Sequence, residues 1–159
     1  MPVPWESAAE GRGIAYGAFV AGTLRSEIER RFRTRPERAC RGVAGASLGG
    51  VSALQIGLAH GRSFGLVLAL SPVLTDPAIA ADLEKAWVAA KPAAPKAFLL
   101  DFDNDPLGAA DLARFRKIAA ANAARQAVLH RSPGGCHRLA SWAERVIPTL
   151  ARLIGTGCR

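Results

Sequence analysis

Five consecutive residues, Gly45-Ala46-Ser47-Leu48-Gly49, form a G-x-S-x-G pattern around a serine. A short apolar stretch precedes the pattern and a helical pattern follows it, so we expect the serine on a tight turn between a strand and a helix. Such a turn exposes the serine hydroxyl, and the flanking glycines avoid a clash where strand and helix meet. The pattern predicts Ser47 as a nucleophile and the Leu48 backbone N–H as a donor to a developing oxyanion.

A serine hydroxyl needs a general base, and the base needs an acid that orients it. In sites built on such a turn, the acid and then a histidine come later in the chain, each just after a strand. Asp103 and Asp105 follow one apolar stretch, and His137 follows the last strand candidate. We expect His137 to be the base. Either aspartate can be the acid, and either can instead cap the helix that starts near Leu107, a role expected more of Asp103 than of Asp105.

The elements that must position these residues alternate between strands and helices. Sequence patterns predict strands at residues 42–46, 64–70, 96–102 and 126–131, and helices at residues 16–33, 49–60, 76–90, 107–124 and 139–154. Strands that are apolar throughout are typical of a parallel sheet with both faces covered. The sequence therefore predicts an α/β fold, with a parallel sheet of about four strands and helices on both faces, in one domain over residues 1–159.

The composition excludes several classes of protein. The chain has 159 residues, of which 50% are hydrophobic and 21% are charged, as in a globular domain large enough to bury a core. No apolar stretch approaches the roughly 20 residues that a membrane helix needs, and the first residues do not resemble a secretory signal. We therefore expect a cytoplasmic protein without a membrane partner.

The net charge of +8 could indicate a nucleic-acid partner. However, the densest group of arginines, within residues 25–41, is interleaved with Glu27, Glu29 and Glu37. Alternating charges of this kind are typical of a solvated helix face, and no aromatic platform or reading motif accompanies them. Nucleic-acid binding is therefore disfavoured.

The three cysteines, Cys40, Cys136 and Cys158, have no C-x-x-C spacing. They are predicted to be free thiols, which suits a reducing compartment. A zinc site built from Cys136, Cys158, His130 and His137 lacks the usual ligand spacing. We expect neither a metal nor an organic cofactor.

Three stretches of the chain resemble a known family. Residues 33–38 lead into the serine pattern, which a second glycine, Gly50, follows; Phe64-Gly65 is followed by Leu70-Ser71-Pro72; and residues 132–137 precede Trp142 by five residues. Together, over residues 16–155, these stretches resemble the putative esterase branch of the α/β-hydrolases, the group with enterochelin esterases, feruloyl-type esterases and mycolyltransferases. The resemblance implies that Ser47 is the nucleophile, His137 the base and Asp105 the acid, with Asp103 as the alternative.

Members of that family have several more strands before the helix that begins here near Tyr16. The resemblance therefore implies the C-terminal part of an α/β-hydrolase, with the strand before Ser47 at an exposed sheet edge that a second copy or another chain could cover. Two functions follow as expectations. The first is a serine ester hydrolase that acts on a small-molecule carboxylic ester. The second is a catalytically inactive or partner-dependent remnant that acts as an interaction module.

Overall fold

The computed structural model describes residues 12–90, 95, 97–122 and 127–157. The helices are α1 (Arg12–Phe19), α2 (Arg25–Arg31), α3 (Leu48–Ala59), α4 (Pro77–Ala89), α5 (Pro106–Ala120) and α6 (Leu139–Gly157). The strands are β1 (Gly42–Ala46), β2 (Leu66–Leu70), β3 (Ala97–Phe102) and β4 (Val128–Arg131). A π-helical segment (Val20–Leu24) joins α1 to α2, and a short 3₁₀ helix (Arg38–Cys40) precedes β1.

The four strands form one parallel sheet in the order β1-β2-β3-β4. The register pairs Ala46 with Leu70, Leu70 with Asp101, and Phe102 with Arg131. All five residues of β2 are buried, as its unbroken apolar sequence predicts for an interior strand. The predicted α/β class with a four-stranded parallel sheet flanked by helices is therefore confirmed.

Helices cover the two faces of the sheet unequally. Helices α3, α4 and α5 pack on one face, where Leu54, Leu83, Trp87 and Phe115 are fully buried against residues of β2 and β3. On the opposite face, the other alternate residues of β2 and β3 contact α6 through Trp142 and Val146. The side chains alternate because neighbouring residues of a strand point to opposite faces. Helix α6 is thus held against the sheet by apolar contacts close to the strand ends.

The helix predicted at residues 16–33 is found at residues 12–31, with the π-helical segment in its middle. Ala21 packs against Ile56 and Phe64, next to α3. The larger apolar residues that recur at intervals of three and four along the predicted helix are exposed, however, from 39% for Leu24 to 60% for Phe32. In the part of the chain that the structure describes, β1 has a neighbouring strand only on its β2 side, so it forms one edge of the described sheet.

Because the strands are parallel, their carboxyl ends lie at the same edge of the sheet. Ser47 follows β1, Ser71 follows β2, Asp103 follows β3, and Ser132 follows β4. Ligands of open α/β sheets bind outside the carboxyl ends of the strands. The predicted site residues therefore belong to the edge where a site is expected.

Candidate active site

Ser47 lies on a sharp turn between β1 and α3. Its backbone has φ 57° and ψ −127°, a region that residues other than glycine seldom adopt and that stores strain. The Ser47 N–H donates to the Leu70 carbonyl at 2.9 Å, which ties the turn to β2. A Cβ on Gly45 would overlap the Gly49 carbonyl oxygen, so glycine is needed where the strand and the helix meet. The glycine of the sequence pattern is thus explained by the close packing of the strand against the helix.

Ser47, His137 and Asp103 form one hydrogen-bonded chain. The Ser47 Oγ lies 2.9 Å from Nε2 of His137, and the Nδ1 of His137 lies 2.9 Å from Oδ2 of Asp103. An ionised carboxylate only accepts hydrogen bonds, so the Nδ1–H donates to Asp103 and Nε2 is left to accept from the serine hydroxyl. The imidazole is 30% exposed and the carboxylate 2%. In this arrangement His137 can remove the proton of the Ser47 hydroxyl, at a position that is partly exposed to solvent.

The Asp105 carboxylate is not in contact with the imidazole. It caps the N-terminus of α5, where its Oδ1 accepts from the Gly108 N–H at 2.7 Å. The choice of Asp105 over Asp103, and the greater expectation of a capping role for Asp103, therefore disagree with the geometry. The physical reason is local: Asp105 precedes Pro106, and an aspartate before a first-turn proline is a strong helix start.

Close backbone packing fixes the position of Asp103. A Cβ on Gly108 would overlap the Asp103 carbonyl oxygen, so α5 approaches this loop more closely than any other residue type allows. The Asn104 N–H donates to the Gly135 carbonyl at 2.9 Å, which joins the loop after β3 to the loop that carries His137. The aspartate and the histidine are therefore held by connected backbone, although they are far apart in sequence.

Leu48 is the first residue of α3. The first N–H groups of a helix have no partner within the helix, and they lie at the positive end of its dipole. The Gly50 N–H donates to the Ser47 carbonyl at 2.9 Å, so the helix begins directly after the serine. The predicted donor is thus at the place where a negative charge would be stabilised.

Helix α6 adds two residues to the site: Trp142, which the sequence analysis named only as part of the family resemblance, and Arg145, which it did not single out. The Trp142 indole donates to the Ser71 Oγ at 3.0 Å, and its ring meets the His137 ring edge-on, with centroids 4.8 Å apart. Arg145 donates from Nη2 to the Oδ1 of Asp103 at 2.8 Å. Trp142 and Arg145 are three residues apart, a spacing that predicts a shared helix face but not which loops that face contacts.

The remaining histidines lie away from the serine. His60 directly follows α3 and lies beside Gly17, and His130 is in β4 with its Nδ1 3.4 Å from the buried Asp101 carboxylate.

Burial raises the pKa of the Asp111 carboxyl on α5, and hydrogen bonds from the backbone N–H groups of Leu74 and Thr75 oppose that rise. Asp111 is buried, and its Oδ1 accepts from the Leu74 N–H at 2.6 Å. It supports the loop after β2.

The predicted set of three free thiols is wrong at one position. Cys40 is disulfide-bonded, whereas Cys136 is a free thiol beside His137. Cys158 lies outside the described residues, and the four-residue zinc site considered above includes it. Within the described ranges, no group of three or more His, Cys, Asp or Glu side chains is arranged to hold a metal ion. Because disulfides are typical of oxidising compartments, the cysteines do not support the cytoplasmic location, which stays a prediction.

None of the described helices has the length and apolar character needed to cross a bilayer. The parallel sheet, the strained serine turn and the order serine, aspartate, histidine define the class as an α/β-hydrolase fold. The family model described as "Putative esterase" matches residues 5–153. The chain belongs to this esterase family.

Solved structures show the same fold. A ferulic acid esterase has 22% identity and a TM-score of 0.69, over 87% of this chain and 60% of its own. An S-formylglutathione hydrolase from Staphylococcus aureus has 18% identity and a TM-score of 0.66, over 83% of this chain and 61% of its own. The enterobactin esterase from Shigella flexneri has 19% identity and a TM-score of 0.67, over 88% and 38%. The chain thus spans about 60% of the length of the first two. A search of curated protein sequences found no significant match.

Proposed function

We propose that this chain is a serine hydrolase that cleaves a small carboxylic ester through an acyl-enzyme. The observation that carries the proposal is the unbroken chain of two 2.9 Å contacts from the Ser47 Oγ through His137 to Asp103. The family supports hydrolase chemistry, and the names of the similar structures, which are esterases and a hydrolase, support an ester as the substrate. In this proposal Asp103, rather than Asp105, is the acid.

The proposed reaction has two halves. His137 Nε2 takes the proton of Ser47 as Oγ attacks the carbonyl carbon, and the Leu48 N–H donates to the oxyanion. The imidazolium then gives its proton to the alcohol oxygen as the C–O bond breaks, and the acyl group remains on Ser47. Water attacks this ester with its proton passing to His137, and the carboxylic acid leaves as Ser47 regains a proton. Asp103 stays ionised throughout and holds the tautomer that accepts at Nε2.

A fluorophosphonate probe tests the proposal without knowledge of the natural substrate. The purified chain is treated with the probe, and peptide mass spectrometry locates the adduct. We expect an adduct on Ser47 that is absent in Ser47→Ala and lost in His137→Ala. Ser26→Ala is the matched control, because Ser26 is exposed on α2, and it should label like the wild type. A folded wild-type chain with no adduct, or an adduct that persists in Ser47→Ala, would refute the proposal.

A second candidate is a partner-dependent module, and the exposed apolar residues of α1 and α2 favour it. Tyr16 and Phe19 on α1 and Phe32, directly after α2, are each about half exposed or more, at 54%, 48% and 60%. Val20, between the two helices, and Val43 on β1, where the described sheet ends, pack against the same small apolar cluster. Exposed apolar area of this kind and an open sheet edge are typical of interfaces. Light scattering of the pure chain distinguishes the candidates: an active monomer argues against partner dependence, and labelling only in an oligomer or with an added chain supports it.

A further inference from the structure

The Asp103 carboxylate has two partners, one on each oxygen. Oδ2 accepts from His137, and Oδ1 accepts from the Nη2 of Arg145 at 2.8 Å. The Asp103 side chain is 2% exposed and that of Arg145 is 11% exposed, so water screens this pair weakly. Among the described residues, His137 and Arg145 are the basic side chains paired with this carboxylate. The proposed mechanism uses only the contact with His137.

Arg145 is itself fixed at several points. Its Nε donates to the Ser141 carbonyl at 3.0 Å, its Nη1 to Oδ1 of Asp101 at 3.4 Å, and its Nη2 also to the Ser71 Oγ at 3.4 Å. A guanidinium is planar and rigid, so contacts from all three nitrogens leave it little freedom to rotate. Arg145 therefore presents a fixed cation to the side of Asp103 opposite the imidazole.

We propose that Arg145 is a positioning residue for the hydrolysis, acting through Asp103. The inference rests on the proposed function. Arg145 holds Oδ1 so that Oδ2 stays in line with the Nδ1–H of His137. Its charge also partly neutralises the carboxylate, which weakens the attraction between Asp103 and a protonated imidazole.

Other charged or titratable groups lie on the elements around the site and must be considered in any pH profile. They come from β3, β4, α5 and the loop before α6, and they are Asp101, Asp105, Asp111, His130, Arg131, Cys136 and Arg138. Arg131 contacts the backbone carbonyl of Asp103 at 3.4 Å rather than its carboxylate. Because replacement of Arg145 leaves all of these groups in place, a change in the profile reports on Arg145.

The test compares Arg145→Gln and Arg145→Lys with the wild type in the hydrolysis of p-nitrophenyl acetate. Active sites are counted by fluorophosphonate labelling, and kcat and KM are measured from acid to neutral pH. In Arg145→Gln we expect kcat per active site to fall by on the order of tenfold or more, with KM nearly unchanged, since in this proposal Arg145 acts through Asp103 and not on the substrate. The midpoint of the acid limb of kcat/KM should move to higher pH, because loss of the cation strengthens the attraction between Asp103 and a protonated imidazole. Arg145→Lys keeps the positive charge but lacks the planar guanidinium that holds Oδ1 of Asp103 in place. Its midpoint should therefore match that of the wild type, while its kcat remains reduced several-fold.

Arg116→Gln, on the exposed face of α5, is the matched control and should change neither quantity. If Arg145 only compensates buried charge, Arg145→Gln will have a lower Tm, but both Arg145 variants will have wild-type kcat and midpoint per active site, and the inference is overturned. If Arg145→Gln does not fold, Arg145→Lys decides, because full kcat in that variant also overturns it. A wild-type chain that neither labels nor hydrolyses the ester refutes the proposed function instead, which keeps the two failures distinct.

Discussion

Replacement of Asp103 by asparagine tests the proposed acid through the geometry of its neighbours. In the wild type, Oδ1 faces the Arg145 guanidinium at 2.8 Å and Oδ2 faces Nδ1 of His137 at 2.9 Å. A guanidinium has only donors, so the oxygen of the new amide must turn toward Arg145. Its NH₂ group must then face Nδ1 of His137. Arg145 thus decides the orientation of the amide.

An NH₂ group facing Nδ1 forces that nitrogen to accept, which moves the ring proton to Nε2. The Nε2–H then points at the Ser47 Oγ and cannot take its proton. Trapping a catalytic histidine in the wrong tautomer reduces kcat by about 10⁴-fold in serine hydrolysis, equivalent to about 5.5 kcal/mol of activation free energy. We expect a loss of this size in Asp103→Asn, with the fold retained because the side chain keeps its shape and its contact with Arg145.

The assay is the steady-state hydrolysis of p-nitrophenyl acetate, with circular dichroism as a check on folding. Asp105→Asn is the matched control, because asparagine caps helices as well as aspartate does, and its kcat should stay within about twofold of the wild type. An Asp103→Asn variant that keeps more than about a tenth of the wild-type kcat refutes the reasoning. Equal losses in the two variants would also refute it, since they would show that the capping residue matters as much as the one that faces His137.

Two further predictions concern the packing around the site. Gly45→Ala should lower Tm by about 5 °C or more, because its Cβ overlaps the Gly49 carbonyl, whereas Gly49→Ala, with open space at its Cβ, should not. Equal Tm values in thermal melts would contradict this. Burial raises the pKa of Asp111 above 3.8, so the folded chain holds this proton more tightly than the unfolded chain. The free energy of unfolding should therefore fall as pH rises through the raised pKa, and Asp111→Asn should flatten that slope in urea titrations; parallel profiles would count against it.

The sequence predicted best the elements that a single local requirement determines. Strand β2 is buried at all five positions because it lies between two strands and between helices. Its unbroken apolar sequence is typical of a strand in that position. The turn at Ser47 was predictable because the close approach of β1 to α3 excludes any side chain at Gly45. In both cases the chemical reason for the residue type is contained in the segment itself.

Periodicity was less informative for the helix at residues 12–31. The spacing of the apolar residues at three and four positions groups Tyr16, Leu24 and Phe32 on one face of the predicted helix. In the described structure these side chains are 39–60% exposed, whereas Ala21 and Val20 pack against the core. A periodic pattern shows which side chains share a face, but what packs against that face depends on contacts far away in sequence. The same limit applies to Arg145, whose partner Asp103 is 42 residues away.

The choice between Asp103 and Asp105 was within reach of local reasoning. A helix whose first residue is proline takes aspartate at the preceding position, because the side chain satisfies a free N–H of the first turn and the proline lacks one. Asp105-Pro106 has this form, and the carboxylate does accept from Gly108. A carboxylate committed to its own helix is poorly placed to reach a histidine in another loop. Asp103 is two residues closer to the strand and has no such local partner, so it is the residue free to face His137.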